Sequence, residues 1–580
     1  IGETWVGLDS ITTSNGGNTL VIDGEGTVNL NGSLEGFVGR INVGATNVSG
    51  GTVNMATGFG SIDNDAQYTV NAKTGKDNVS GAWVSNVQSV LTVQSGATVN
   101  MGALTINRST KSGEATQAGT QLKVETGGKL YVESITLGTK EYKDKSQASQ
   151  KDTLASGSLT TTGHGEVTVA SGAVAEVKKD VTVAANTTFD KTGSGAFTVL
   201  GTLKTEAAVK DGAPAGIFNV NVGSVAVNTV ANAGTTTVAS GATFSVTGTG
   251  STNSGLISLP SSQSNQSGAK FVVQAGADLT NTGAIAGAKD AGAYTSSGNV
   301  EVAGKLVNGD KGLIKTATLT VNDGGYVSTK MTDASYAVGM TTVNKGGTFN
   351  LTKLNSHLDD TVDGAFDQLL LAGRNMTLAG GALTVADKAF TGNVKLDGAT
   401  LTISAGEYAA NTFTTLQNST LSVSGGQYTI KTLNANDGTI NVAGTGKLVI
   451  DTKLSTNSGS QFKIENGGTV ETTAAALGLK IGASGATFDS GSTYYSGSIT
   501  NKGELVLSDL TGITTTMDVV ADIKSKIQKA NDSNGLLNLG ALTISNAVTD
   551  GKVKFSDVSD KLAGIASDAL SQATVTGVTN

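Results

Sequence analysis

The chain has 580 residues, no cysteine, a formal net charge of −8 and only 15% charged residues. That length supplies a core without disulfide staples. With Arg40, Arg108 and Arg374 the only arginines among 39 basic residues, it lacks the basic surplus and bidentate phosphate contacts of a nucleic-acid binder. The absence of cysteine suits a chain exported across an envelope, and no run of about 18 apolar residues is present to span a membrane as a helix.

The first residues, Ile1-Gly2-Glu3-Thr4-Trp5, show neither a basic n-region nor an apolar h-region, so the expected form is an exported chain whose leader has been removed. Residues 1–27 read as an entry cap in which Trp5 and Leu8 cover a first coil, because an uncovered solenoid end is an open strand edge. From 28 to 507 one short phrase recurs: a β-branched residue, a spacer or two, a Gly-Gly or Gly-Ala pair, then Thr and an apolar residue. It stands as Val48-Ser49-Gly50-Gly51-Thr52-Val53, Val93-Gln94-Ser95-Gly96-Ala97-Thr98-Val99, Val343-Asn344-Lys345-Gly346-Gly347-Thr348-Phe349 and Ile464-Glu465-Asn466-Gly467-Gly468-Thr469-Val470. The glycine pair supplies a residue with φ > 0, the flanks read as short strands, and the spacing of about twenty residues is that of one solenoid coil. The apolar residue after each turn (Val53, Val99, Leu130, Phe244, Phe349, Val470, Phe488) is expected to form an internal ladder.

Three segments break the phrase. Residues 140–152 are a mixed-charge stretch and 255–268 a polar one around Pro260, both read as inserted loops on the surface. In 356–374, Leu358, Val362, Phe366 and Leu369-Leu370 fall at helical spacing beside Asp359, Asp360, Asp363 and Asp367. Those four carboxylates are the one candidate Ca²⁺ site, but without the ligand and glycine spacing of an EF-hand they read first as a solvated acidic face. Past 507 the pattern changes. Val519, Ile523 and Ile527 predict a helix, Leu542–Val548 and Lys552–Phe555 a hairpin around Asp550-Gly551, and Phe555, Val558, Leu562, Ile565 and Ala569 a second helix. Residues 508–580 are thus expected to be an α+β module that seals the last coil or joins copies.

Chemistry finds few residues to carry it. His164 and His357 are the only histidines, neither has a nucleophile or ligand at motif spacing, and the Gly-x-Gly strings are turns in a glycine-rich chain. Some β-helices cleave polysaccharides, but such sites want clustered charge in a cleft with aromatic sugar platforms, and Trp5 and Trp83 are the only tryptophans. No catalytic or cofactor-binding residue is assigned. The fold expected is all-β, a right-handed parallel β-helix with the small α+β module at its end.

The phrases Leu91-Thr92-Val93-Gln94-Ser95-Gly96-Ala97-Thr98-Val99-Asn100 and Thr341-Thr342-Val343-Asn344-Lys345-Gly346-Gly347-Thr348-Phe349-Asn350 resemble those of bacterial autotransporter passenger domains, over about 28–507. The resemblance implies export, display at the bacterial cell surface and contact through the flank of the solenoid. Such proteins usually end in an outer-membrane β-barrel, and the last residues do not resemble one. Two functions follow as expectations. One is a non-enzymatic structural protein whose copies assemble into a surface layer or filament. The other is an adhesin that binds cell-surface glycans or proteins. Neither needs a cofactor, nucleic acid or a transmembrane segment.

Overall fold

Alternation of β-branched with small polar residues puts every second side chain on one face, and the short turns return the chain beside itself in the same direction. The computed structural model realises this as a β-solenoid, nearly all strand and nearly all parallel. It describes residues 5–6, 19–22, 27–30, 40–43, 52–55, 89–108, 120–141, 163–209, 214–260, 268–353 (except 291 and 333), 368–482, 485–488, 498–510, 513–527, 535–539 and 543–544. The chain divides into two units, Ile1–Leu319 and Thr320–Asn580.

In the first unit each complete coil has three walls. Thr235–Val238, Thr243–Val246 and Ser251–Asn253 make one coil, and Leu256–Ser258, Lys270–Val273 and Asp278–Asn281 stack on them in parallel. The expected ladder is present: Val99, Leu130, Ala175, Phe197, Val225, Phe244, Phe271 and Val300 are successive register partners and all lie in the core. Phe189, Phe218, Phe244 and Phe271 pass their rings from coil to coil at centroid distances of 5.8–6.4 Å. Each such side chain contributes about 1.5–3 kcal/mol by leaving water.

The end of the third wall carries a polar ladder. Asn232, Asn253, Asn281 and Asn308 are buried register partners. The Nδ2 of each donates to the Oδ1 of the next, at 2.6, 2.6 and 2.7 Å. The second amide hydrogen goes to the carbonyl that opens a following wall strand: Leu256 from Asn232, Ala284 from Asn253 and Leu313 from Asn281. Thr205 Oγ1 donates to Asn232 Oδ1 and begins the chain. A buried amide stack of this kind is favourable only because every member is satisfied.

The glycines do two jobs. Gly96, Gly127, Gly346 and Gly467 hold φ between 76° and 81° in the tight turns, as their pairs in the sequence predict. Gly234, Gly255 and Gly283, two residues after the ladder asparagines, are needed for a different reason. A Cβ on any of them would sit 2.1–2.3 Å from the carbonyl oxygen of the glycine one coil back.

The second unit also has three walls. In one, Met376, Leu401, Leu421, Ile440, Phe462 and Ile499 form the inward row. In another, Tyr408, Tyr428, Leu448, Val470, Leu505 and Leu537 do so, which carries the sheet past 507 to Leu536–Asn538. Phe349 is fully buried against Tyr336, at 5.5 Å between rings. Phe488 departs from the expected ladder. It ends an antiparallel hairpin, Leu479–Gly482 with Gly485–Phe488, that leaves the coil, so Gly485 marks an excursion instead of a coil turn.

The inserts are shorter than the sequence indicates. Lys140 and Glu141 end the strand Lys129–Glu141, and Leu256–Ser258 is a wall strand. Gln368–Ala372 is also strand, where a helix was expected to run to Arg374. Leu369 and Leu371 alternate inward against Val394 and Leu396, so a period of two replaces the helical one there. Residues 142–152, 261–267 and 356–367, including His357, Asp359, Asp360, Asp363 and Asp367, lie outside the described residues. The predicted helix forms at Met517–Ile527 and buries Val519, Val520 and Ile523. The expected hairpin past Ile544 and the second helix lie outside the described residues.

Candidate functional site

Two places depart from plain coil stacking. The first is on the first unit, around Thr187–Thr192, whose alternation points Phe189 and Lys191 inward and Asp190 outward. Lys191 therefore sits in the register row of Val167 and Val220, fully buried. Its Nζ donates to the carbonyls of Gly193, Gly195 and Val222 at 2.5–2.6 Å, and burial pushes its pKa down to about 8. Outside, His164 Nε2 lies 2.6 Å from Asp190 Oδ2, and Asn219 Nδ2 donates to Asp190 Oδ1 at 2.8 Å. Burial alone would raise the pKa of Asp190, but the bonds from His164 and Asn219 outweigh it and hold the carboxyl below its ordinary value. Thr168 and Thr192 both donate to Glu166 Oε1. This network ties three coils together across one wall. His164 is the one sequence-noted residue it uses, and its partners come from neighbouring coils at no recognisable motif spacing.

The second place is a groove of about 360 Å³ in the second unit, where a wall is interrupted. The strand Ala382–Val385 pairs with the preceding coil, then folds back antiparallel on Lys388–Ala389 instead of leading into the next coil. Ala386 and Asp387 make the reversal with φ of 48° and 60°. The hairpin is pinned by its neighbours. Tyr326 Oη donates to Asp387 Oδ1 at 2.7 Å, and Asn350 donates to Tyr326 Oη at 2.8 Å. Asn350 Oδ1 in turn accepts from Thr384 Oγ1 and the Asp387 amide.

On the other side of the groove, Glu407–Ala410 pairs with the following coil. Ladder alternation turns the main-chain groups of Gly406 and Tyr408 to that coil and those of Glu407 and Ala409 to the groove, where no strand pairs with them among the described residues. The opening is a wedge. At its closed end a Cβ on Gly406 would lie 3.0 Å from Gly380 Cα, and Tyr408 Oη accepts from the Gly380 amide at 3.1 Å and donates to Gly381 O at 2.7 Å. Burial raises the pKa of that phenol. The floor is apolar, from Leu383, Phe390 and the Tyr408 ring. The rim carries Thr384, Thr391, Glu407, Gln427 and Thr429, with one carboxylate and no cationic side chain among the described residues. None of these residues is distinguishable in the sequence, since the groove arises from the backbone reversal.

Among the described residues no group of three His, Asp or Glu side chains is placed to hold a metal ion, and no helix is long and apolar enough to cross a membrane. No protein-family model matches the sequence, and no curated protein does. Among solved structures the chain is similar to the crystal structure of a TibA fragment hyper-glycosylated through TibC catalysis. The sequence identity is 14% and the TM-score 0.16, over 80% of this chain and 93% of that one.

Proposed function

We propose that this chain is a non-enzymatic, surface-displayed bacterial adhesin whose β-solenoid presents a small ligand site on its flank. The groove between the hairpin Ala382–Ala389 and the strand Glu407–Thr415 carries the reading. It is pre-shaped by hydrogen bonds, apolar at the floor and polar at the rim, as small-ligand sites are. Its polar groups are unlike a hydrolytic pair: among the described residues Glu407 is the only carboxylate lining it. The cysteine-free composition supports export. The test is binding of the labelled, purified chain to bacterial and epithelial cells in a saturable assay. Binding displaced by excess unlabelled chain supports adhesion; no saturable binding to either cell type refutes it.

A second reading, self-assembly, draws on one wall of the second unit. There Thr400 and Thr402, Thr420 and Ser422, and Thr439 and Asn441 face outward in two uncharged rows. Equivalent contacts repeated along a wall favour lattices. Ordered sheets or filaments in negative-stain electron microscopy would support that reading, and dispersed particles at high concentration would remove it.

A further inference from the structure

We infer that the wedge-shaped groove of the second unit is a binding site for one neutral pyranose ring, such as the terminal residue of a surface glycan; this rests on the adhesive reading above. Three observations converge on a polyhydroxylated ring. Glu407 and Gln427 are register partners on adjacent strands, which lie about 4.8 Å apart, so a carboxylate acceptor and an amide that already donates to Thr429 Oγ1 leave the same side of the wall for neighbouring hydroxyls. The main-chain groups of Glu407 and Ala409 face the same space without a strand partner among the described residues, offering donors and acceptors that match hydroxyls of either sense. Leu383 and Phe390 give the C–H face of a ring something apolar to pack against.

Shape and charge narrow the class. A strand-like peptide would need an open slot, but contact at Gly380 and Gly406 and the Tyr408 phenol close one end. Beyond Thr391 the Asn411 amide donates to Gly392 O at 2.9 Å, so what remains between the two ends is a compact space. Among the described residues the lining holds one carboxylate and no cation, so acidic sugars are repelled while neutral ones are not.

Saturation-transfer difference NMR on the 580-residue chain tests the inference with glucose, galactose, mannose, N-acetylglucosamine and N-acetylneuraminic acid as probes. The expected result is transfer to at least one neutral pyranose and none to the acidic sugar. Glu407→Ala should weaken binding roughly tenfold, and Ala409→Trp should abolish it by filling the groove. Both variants must keep the wild-type circular dichroism and melting temperature. If either does not, Thr391→Trp at the exposed rim serves as the blocking variant. No transfer to any neutral pyranose overturns the inference, as does binding undiminished by the blocking variant or a preference for the acidic sugar. Protection of Glu407 and Ala409 amides from hydrogen exchange by an extended peptide, and by no sugar, would assign the groove to peptides and also overturn it. Saturable cell binding without transfer to any neutral pyranose would sink the sugar site and leave adhesion standing. Sugar binding without cell binding would do the reverse.

Discussion

Replacing Asn253 by Leu tests whether the amide ladder holds the first unit's coils together. The side chain accepts one hydrogen bond from Asn232 and donates two, to Asn281 Oδ1 and Ala284 O, all within the core. Leucine has similar size, so little cavity opens, but an Asn232 N–H and the Asn281 oxygen lose their partner together, while the Ala284 carbonyl keeps its main-chain bond to the Leu256–Ser258 strand. Each buried group left unmet costs about 1–3 kcal/mol. Better burial of leucine offsets about 1.5–3 kcal/mol of that sum. At mid-range values two unmet groups cost about 4 kcal/mol and leucine returns about 2, so the net loss expected is about 2 kcal/mol. Urea unfolding followed by circular dichroism reads the loss, and native-state hydrogen exchange should place it in Ser251–Asn253 and Asp278–Asn281. The double variant Asn253→Leu with Asn281→Leu removes both ends of one bond, so its loss should fall short of the two single losses added together. Wild-type stability in Asn253→Leu, or strict additivity in the double variant, would refute the ladder as a stabilising unit.

Other perturbations have equally definite outcomes. Lys191 releases its proton near pH 8 when folded and near 10.5 when unfolded, so the unfolded chain binds more protons between those values and stability should rise with pH across that window. The gain is at most about 3 kcal/mol, since the three carbonyls favour the ammonium; urea midpoints from pH 7 to 10 should show it, and Lys191→Met should flatten it. Above pH 10 the sign reverses, because burial keeps Tyr336 and Tyr428 protonated while unfolded tyrosines ionise. Phe349→Asp places a charge in a fully buried site beside Tyr336 and should cost more than about 4 kcal/mol; an unchanged melting temperature would contradict its inward placement. Gly283→Ala forces a methyl to 2.1 Å from Gly255 O and should lower the melting temperature more than Gly276→Ala, whose Cβ meets nothing within 4 Å and which bears only the backbone strain of φ 80°, about 1–2 kcal/mol. Tyr326→Phe removes the bond to Asp387 and should speed hydrogen exchange of the Asp387 amide without altering the core.

Coil architecture is legible in the sequence because it depends on local rules. Glycine at φ > 0 sets the turns, and alternation sets which side chains point in, which is why Val99, Leu130, Phe244, Phe349 and Val470 are recognisable as core. Phe488 obeys the same local rule and still leaves the coil, because its strand finds an antiparallel partner in Leu479–Gly482. The asparagine ladder leaves a signal that is easily taken for loop composition: Asn232-Ala233-Gly234, Asn253-Ser254-Gly255 and Asn281-Thr282-Gly283, with Asn501-Lys502-Gly503 repeating the spacing in the second unit. Asn501 likewise donates to the carbonyl that opens a strand, that of Leu536. Lys191 was readable as an inward lysine by counting from Phe189. The groove was not, because its walls come from coils whose juxtaposition depends on where the hairpin at Ala386-Asp387 reverses.

The asparagine stack also solves an alignment problem that apolar packing leaves open. Shifting one coil by a single residue would expose its core, so that error is self-correcting. A shift of two residues keeps every inward side chain inward and exchanges one aliphatic contact for another, leaving hydrophobic burial nearly indifferent. Such a shift would set Asn253 against Leu279 in place of Asn281 and break the amide chain at that rung. The buried amides thus act as index marks for a chain built from near-identical coils, penalising the one misalignment that its greasy interior would tolerate.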